Sequence, residues 1–274
     1  MSELIAVNGA ELFVRRMGSG PPLYLLHGGL GFDHQYFLPW LEPLADEFEL
    51  VLYDHRGNGR SSTDLDGVTF DTWVDDLDAL RAALGHDRIA VVGHSFGGFI
   101  AQRFGSRYPG SVTGLVLMGT ASTLGHFEHV IAWVGEHGTP EQLEPFTGGE
   151  ITSDEQFKEM WRLVLPLYFK NRDLPAIAEV IDATVFRVAG ATKGGQETGE
   201  LDLTADAAAI SCPTLVIGGR HDFVMPPQHT TDALAATVPG ADYEVFERSG
   251  HFPFVEEHPE FLDRVGAWLR THVT

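Results

Sequence analysis

The chain has 274 residues, 43% of them hydrophobic and 21% charged, with 39 Asp and Glu against 18 Lys and Arg and a formal charge of −21. Such a length suits one large α/β domain with an insertion, or two small domains. The negative charge argues against nucleic acid or an anionic membrane as partner, because both would repel this surface, but it selects no substrate.

At the N-terminus, Met1-Ser2-Glu3-Leu4 shows no basic region followed by an apolar one, so no signal peptide is expected. No apolar run approaches the roughly 18 residues that a membrane span needs, and a cytoplasmic location is the expectation. Leu4 to Val7 and Glu11 to Arg15 flank Asn8-Gly9, which predicts a two-residue hairpin. Short apolar runs then recur at Leu23 to Leu26, Leu50 to Tyr53, Ile89 to Val92, Leu115 to Met118 and Leu215 to Ile217. Short, nearly continuous apolar strands of this kind suit a parallel sheet covered on both faces. Between them, Trp73, Leu77, Leu80 and Leu84 mark one face of a helix, with Asp75, Asp76 and Asp78 on its wet side. Near the end, Phe261, Leu262, Val265, Trp268 and Leu269 follow Pro259 as the buried stripe of a terminal helix. The fold class is therefore α/β: a mostly parallel, doubly wound sheet opened by an antiparallel hairpin.

From Ser122 to Asp206 the rhythm breaks. No clear strand is visible, and helix-like pieces such as Asp154 to Val164 and Leu174 to Val188 take over. The stretch has fifteen acidic side chains against six basic ones, and aromatics including Phe157, Trp161 and Tyr168. It reads as a helical lid, residues 122–206, inserted into a core formed by residues 1–121 and 207–274. Cys212, the single cysteine, opens an apolar strand and reads as a small buried hydrophobe; no intrachain disulfide can form, which fits a reducing compartment.

The chemistry concentrates at strand ends. In Val91-Val92-Gly93-His94-Ser95-Phe96-Gly97-Gly98 a serine stands between two glycines, where a strand passes straight into a helix-type segment from Phe99 to Tyr108. That geometry strains the serine's backbone and holds its hydroxyl at the tip of a turn. A serine hydroxyl needs a base, itself oriented by a third group. Asp222 follows the run ending at Ile217, and His251 lies in the loop after the strand Tyr243 to Glu247. All three fall on the rim where open α/β sheets bind ligands, in the order serine, acid, histidine. The backbone N–H of Phe96 is one candidate oxyanion donor, and that of Gly29, in His27-Gly28-Gly29-Leu30-Gly31, is the second.

Other polar residues near these loops read as structural. Asp54, Arg56 and Ser61 lie in a tight turn, His27 and His94 orient backbone or pack, His221 points away from Asp222, and His258 opens a helix. Gly57-x-Gly59 lacks the third glycine of a dinucleotide fingerprint, and no histidine pair has metal-ligand spacing, so neither cofactor nor metal is expected.

These stretches, with Tyr53-Asp54-His55-Arg56-Gly57-Asn58-Gly59-Arg60-Ser61-Ser62, resemble an α/β-hydrolase from end to end. Within that superfamily the chain is most similar to the prolyl aminopeptidase (proline iminopeptidase) group, marked by H-G-G-P-G, D-Q-R-G and G-x-S-W-G-G. Here Leu30 replaces the proline, His55 the glutamine and Phe96 the tryptophan. The resemblance implies a catalytic triad of Ser95, His251 and Asp222 with Gly29 and Phe96 at the oxyanion. It does not carry the aminopeptidase specificity, because the lid carboxylates that bind a free amine have no alignable counterparts. The expected activity is cofactor-free cleavage of an acyl bond (ester, lactone or small-peptide amide) in a small-molecule substrate, by a monomer or small homo-oligomer. Prolyl aminopeptidase proper, C–C hydrolysis or perhydrolysis on the same triad, and a lid-gated binding protein stay open as alternatives.

Overall fold

Eight strands make one sheet in the computed structural model, which describes residues 2–148 and 151–273. The Asn8-Gly9 turn, both residues at positive φ (46° and 76°), folds β1 (Ser2–Val7) onto β2 (Ala10–Met17). The apolar runs become β3 (Pro22–Leu26), β4 (Glu49–Tyr53), β5 (Ile89–His94), β6 (Val112–Met118), β7 (Thr214–Gly219) and β8 (Asp242–Phe246). They lie in the order β1-β2-β4-β3-β5-β6-β7-β8. Only β1 and β2 pair antiparallel to their neighbours; from β4 to β8 the sheet is parallel.

Because side chains alternate along a strand, each run feeds two cores. Leu23, Leu25, Leu50, Leu52 and Val92 face one side, where the terminal helix packs Phe261, Val265 and Leu269. Tyr24, Leu26, Val51, Tyr53 and Val91 face the other, against Trp73, Leu77 and Leu80 of α1 (Phe70–Ala83) and Ile100 and Phe104 of α2 (Phe96–Arg107). The helix after the serine thus begins at Phe96, three residues before the apolar pattern suggested, since Gly97 and Gly98 hid its first turn.

Between β6 and β7 run α3 (Phe127–His137), α4 (Pro140–Thr147), α5 (Asp154–Val164), α6 (Ala176–Ala183), α7 (Val188–Thr198) and α8 (Thr204–Ala209). The helix expected over Leu174 to Val188 is corrected: it stops at Ala183 and the chain runs extended to Arg187. Loops of the sheet capture that backbone, for Val185 N–H donates to Asp33 Oδ2 (3.2 Å) and Arg187 N–H to the Gly31 carbonyl (2.8 Å). Tertiary hydrogen bonds here outweigh local helical preference. Beyond β7 lie α9 (Thr231–Thr237), α10 (Pro253–Glu256) and α11 (His258–His272), the last being the terminal helix. Among the described residues no helix is long and apolar enough to cross a membrane.

The strand order places the site. From β3 the chain moves to β4 on one side, then returns to β5 on the other, so a crevice opens at the ends of β3 and β5. Their register sets Leu26 opposite Gly93, which brings the His27-Gly28-Gly29 loop beside Ser95.

Candidate active site

Ser95 has φ 54° and ψ −116°, one of two non-glycine residues with positive φ among those described. Such backbone geometry costs of order 1–3 kcal/mol and persists only where surroundings over-determine it. Here the Ser95 N–H is anchored to the Met118 carbonyl at the end of β6 (2.9 Å), while its own carbonyl accepts from Gly98 N–H (2.9 Å). The flanking glycines are sterically required. A Cβ on Gly93 would lie 2.5 Å from the Gly97 carbonyl oxygen, and one on Gly97 would lie 2.1 Å from that of Leu26. Phe96 opens α2, so its N–H belongs to the first turn, which a helix leaves unpaired.

Asp222 and His251 meet as the sequence order suggested. His251 Nδ1 donates to Asp222 Oδ2 at 2.6 Å, with both side chains buried. The other oxygen of Asp222 accepts from the N–H groups of Val224 (2.9 Å) and Met225 (2.8 Å). Three donors thus hold one carboxylate in a fixed plane, which selects the His251 tautomer that carries its hydrogen on Nδ1 and turns Nε2 away from Asp222 as the acceptor. The backbone of His251 is held as well, its N–H donating to the Tyr168 carbonyl (2.7 Å). Gly119, at φ 53°, leaves room behind the imidazole, where a Cβ would stand 3.1 Å from Nδ1.

A second set of bonds ties the His27-Gly28-Gly29 loop to the His251 loop. The Gly28 N–H donates to the Tyr36 hydroxyl, which meets His94 Nδ1 at 2.8 Å. On its far side, His94 Nε2 donates to the carbonyl of His251 (2.9 Å). Burial, then the neighbouring His251, holds the His94 pKa well below the imidazole range, so the ring is neutral and Nδ1 accepts the Tyr36 proton. Gly28 itself sits so close that a Cβ would lie 2.6 Å from that of Ser95. His94 is legible in the sequence as a packing or orienting residue and Tyr36 is not, because nothing in a short 3-10 turn (His34–Phe37) announces a hydroxyl aimed at a distant loop.

The remaining polar residues near these loops are engaged in bonds within the scaffold. Asp54 accepts from His34 Nδ1 (2.5 Å) and from the Arg60 N–H (2.8 Å), and Ser61 bridges the Phe13 N–H and the Asp54 carbonyl. Arg56 forms a two-pronged pair with Asp76 of α1 (2.9 and 2.6 Å). His27 Nε2 accepts from the His55 N–H (3.0 Å), and burial lowers its pKa to about 4. His258 Nε2 donates to the Trp40 carbonyl (2.8 Å) at the start of α11. The His221 N–H donates to the Ser249 carbonyl (2.9 Å).

Ser95, Phe96, Gly29 and His251 border one cavity of about 310 Å³. Inserted helices supply much of its wall, through Phe157 and Trp161 of α5, Ala191 and Thr198 of α7, and Leu165 and Tyr168 between α5 and α6. Core residues Phe32, Phe99, Val224 and Met225 close the rest. Among the described residues, no Asp, Glu, Lys or Arg lines this space. Nor does any group of three or more His, Cys, Asp or Glu among them form a possible metal site.

A strained serine between strand and helix, an imidazole–carboxylate pair on the same rim and an inserted helical wall together define an α/β-hydrolase. The chain belongs to the alpha/beta hydrolase fold family, whose model matches residues 21–258. It is similar to the proline iminopeptidase PfmaB of Pestalotiopsis fici, 30% identical over all of this chain and 99% of that one. A proline iminopeptidase of Lactiplantibacillus plantarum is 29% identical over 97% of this chain and 99% of its own. Among solved structures, the enol-lactonase of Burkholderia xenovorans LB400 superposes with a TM-score of 0.80 and 26% identity, covering 98% of this chain and 100% of its own.

Proposed function

We propose that the protein is a serine hydrolase for small, apolar carboxylic esters or lactones. One observation carries this reading: the cavity at Ser95 is walled by aromatic and aliphatic side chains, with no carboxylate among the described residues. The proline iminopeptidases to which the chain is similar suggest a substrate with a free amine. An ammonium entering this cavity would lose its hydration and gain no counter-charge, at a cost of several kcal/mol. A neutral ester or lactone suffers no such penalty, and the similarity to an enol-lactonase favours it.

In this reading Ser95 Oγ attacks the carbonyl carbon and His251 Nε2 takes its proton. Asp222 fixes the imidazole and stabilises the cation that forms. The negative charge moving onto the carbonyl oxygen is met by the N–H groups of Phe96 and Gly29. His251 then passes the proton to the leaving alkoxide, and water activated by the same nitrogen releases the acid. The lid of residues 122–206 excludes bulk water from the acyl-enzyme.

Side-by-side turnover of a short p-nitrophenyl ester, a lactone and a prolyl arylamide tests the substrate class. Ester or lactone cleavage is expected to exceed prolyl release by at least about a hundredfold in kcat/KM, the equivalent of about 3 kcal/mol for an uncompensated ammonium. Prolyl release as the faster reaction overturns the assignment.

Tyr36→Phe supplies a second test. It removes the hydroxyl joining Gly28 to His94 and leaves two buried polar groups unpaired, a loss of about 1–3 kcal/mol. Since Tyr36 holds the loop that bears Gly29, kcat should fall about tenfold or more with KM little changed. An unchanged kcat would show that the Tyr36 bridge does not position the loop.

A further inference from the structure

On the far side of the Asp222 loop lies a second cavity, of about 410 Å³, whose wall includes Lys170, Arg172, Arg220 and His221. Concentrated positive charge is unexpected in a chain with a formal charge of −21. Elsewhere most Arg side chains meet a carboxylate, as in the pairs Arg56–Asp76 and Arg60–Asp33. Among the described residues, neither Lys170 nor Arg172 has a carboxylate within ion-pair distance. Arg172 donates instead to the His137 carbonyl (3.0 Å) and lies over the Trp133 ring, 5.5 Å from its centroid. Arg220 is shared with the exposed Glu247. Asp222, the acid bordering this space, has both oxygens committed to His251, Val224 and Met225. Lys170, Arg172 and Arg220 outnumber the carboxylates of Asp222 and Glu247, so cations are in excess at the cavity.

Its apolar surface is equally defined. Trp133 of α3 and Phe223 stack at 4.5 Å and 18°, and His137 stacks on Trp133 at 4.6 Å and 13°. Stacked on one another, these rings line the cavity together with Leu167 and Phe169; that apolar lining beside Lys170 and Arg172 matches an anion that carries an apolar body, and fits bare phosphate less well. We propose that this cavity is a binding site for a small organic carboxylate, separate from the site at Ser95, with Lys170 and Arg172 receiving the charge and Trp133 and Phe223 the apolar part. The partition between the two cavities is short: Phe223 packs edge-on to Tyr168 (5.1 Å), whose carbonyl holds the His251 N–H.

Titration calorimetry of the intact protein with benzoate tests the proposal, alongside inorganic phosphate and the variants Lys170→Gln and Arg172→Gln. Both side chains are exposed, so folding is checked only by an unchanged far-UV spectrum and melting point. The wild-type protein should bind benzoate saturably at one site, and each neutralisation should weaken binding about tenfold, the loss of one hydrogen bond to a charged group. Equal benzoate affinity in wild type and both variants places the ligand elsewhere, including the cavity at Ser95, and overturns the proposal. No saturable benzoate binding overturns it too. Phosphate binding as tightly as benzoate overturns the chemical class, since the aromatic wall would then contribute nothing.

Discussion

Replacing Ser95 by alanine is expected to lower kcat on a chromogenic ester about 10⁶-fold, the loss seen when a triad nucleophile acting with its partners is removed. The substitution deletes one oxygen and keeps the Cβ, so the strained turn is preserved: the bonds from Ser95 N–H to Met118 and from Gly98 N–H to Ser95 use backbone atoms only. Gly28 still packs against the same Cβ. The melting point should accordingly stay near that of the parent, which separates loss of chemistry from loss of fold. Residual turnover should remain above the uncatalysed rate, because the N–H groups of Phe96 and Gly29 would still polarise the carbonyl. Labelling by a fluorophosphonate probe supplies an independent readout: it should disappear in the variant. A variant retaining a few per cent of parental turnover would sink the nucleophile assignment.

Asp222→Asn should cost about 10⁴-fold in kcat, through the tautomer of His251 and not through packing. The asparagine oxygen can go on accepting from the Val224 and Met225 N–H groups. Its amide nitrogen then faces His251 Nδ1, where the carboxylate had accepted a proton at 2.6 Å. Two donors cannot share that contact. The ring must place its proton on Nε2, the nitrogen needed unprotonated to receive the serine hydroxyl's hydrogen. Since Asp222 does not border the Ser95 cavity, KM should move little. Steady-state kinetics that show a raised KM at parental kcat would assign Asp222 to substrate binding and remove it from the relay.

The strands were legible because burial on both faces leaves a short apolar run whose limits are easy to read. Leu23 to Leu26, Leu50 to Tyr53 and Ile89 to Val92 all lie within strands of the sheet. Asn8-Gly9 was legible for a stereochemical reason, positive φ at two consecutive positions. The helix from Ala176 was less so. Its apolar pattern continues to Val188, but contacts with Asp33 and Gly31, more than 150 residues earlier in the chain, end it at Ala183. Periodicity within a segment cannot register a partner that distant.

At the site the division follows the same reasoning. Ser95, Asp222, His251, Gly29 and Phe96 are candidates that the sequence offers by itself, because strand ends, glycine spacing and chain order are local properties of the sequence. That His251 meets Asp222 at 2.6 Å, and that Tyr36 and His94 link Gly28 to the His251 carbonyl, depend on how the loops after β3, β5, β7 and β8 converge. The sequence by itself determined the chemistry on offer and the strand ends that present it, since both follow from residue type and hydrophobic pattern. Only the tertiary structure decided what surrounds that chemistry: an uncharged wall at Ser95 and a cationic hollow behind Asp222. Each is assembled from segments far apart in the chain, and an insertion with fifteen acids and six bases gives no sign that, among the described residues, its acids stay out of one cavity while Lys170 and Arg172 gather at the other.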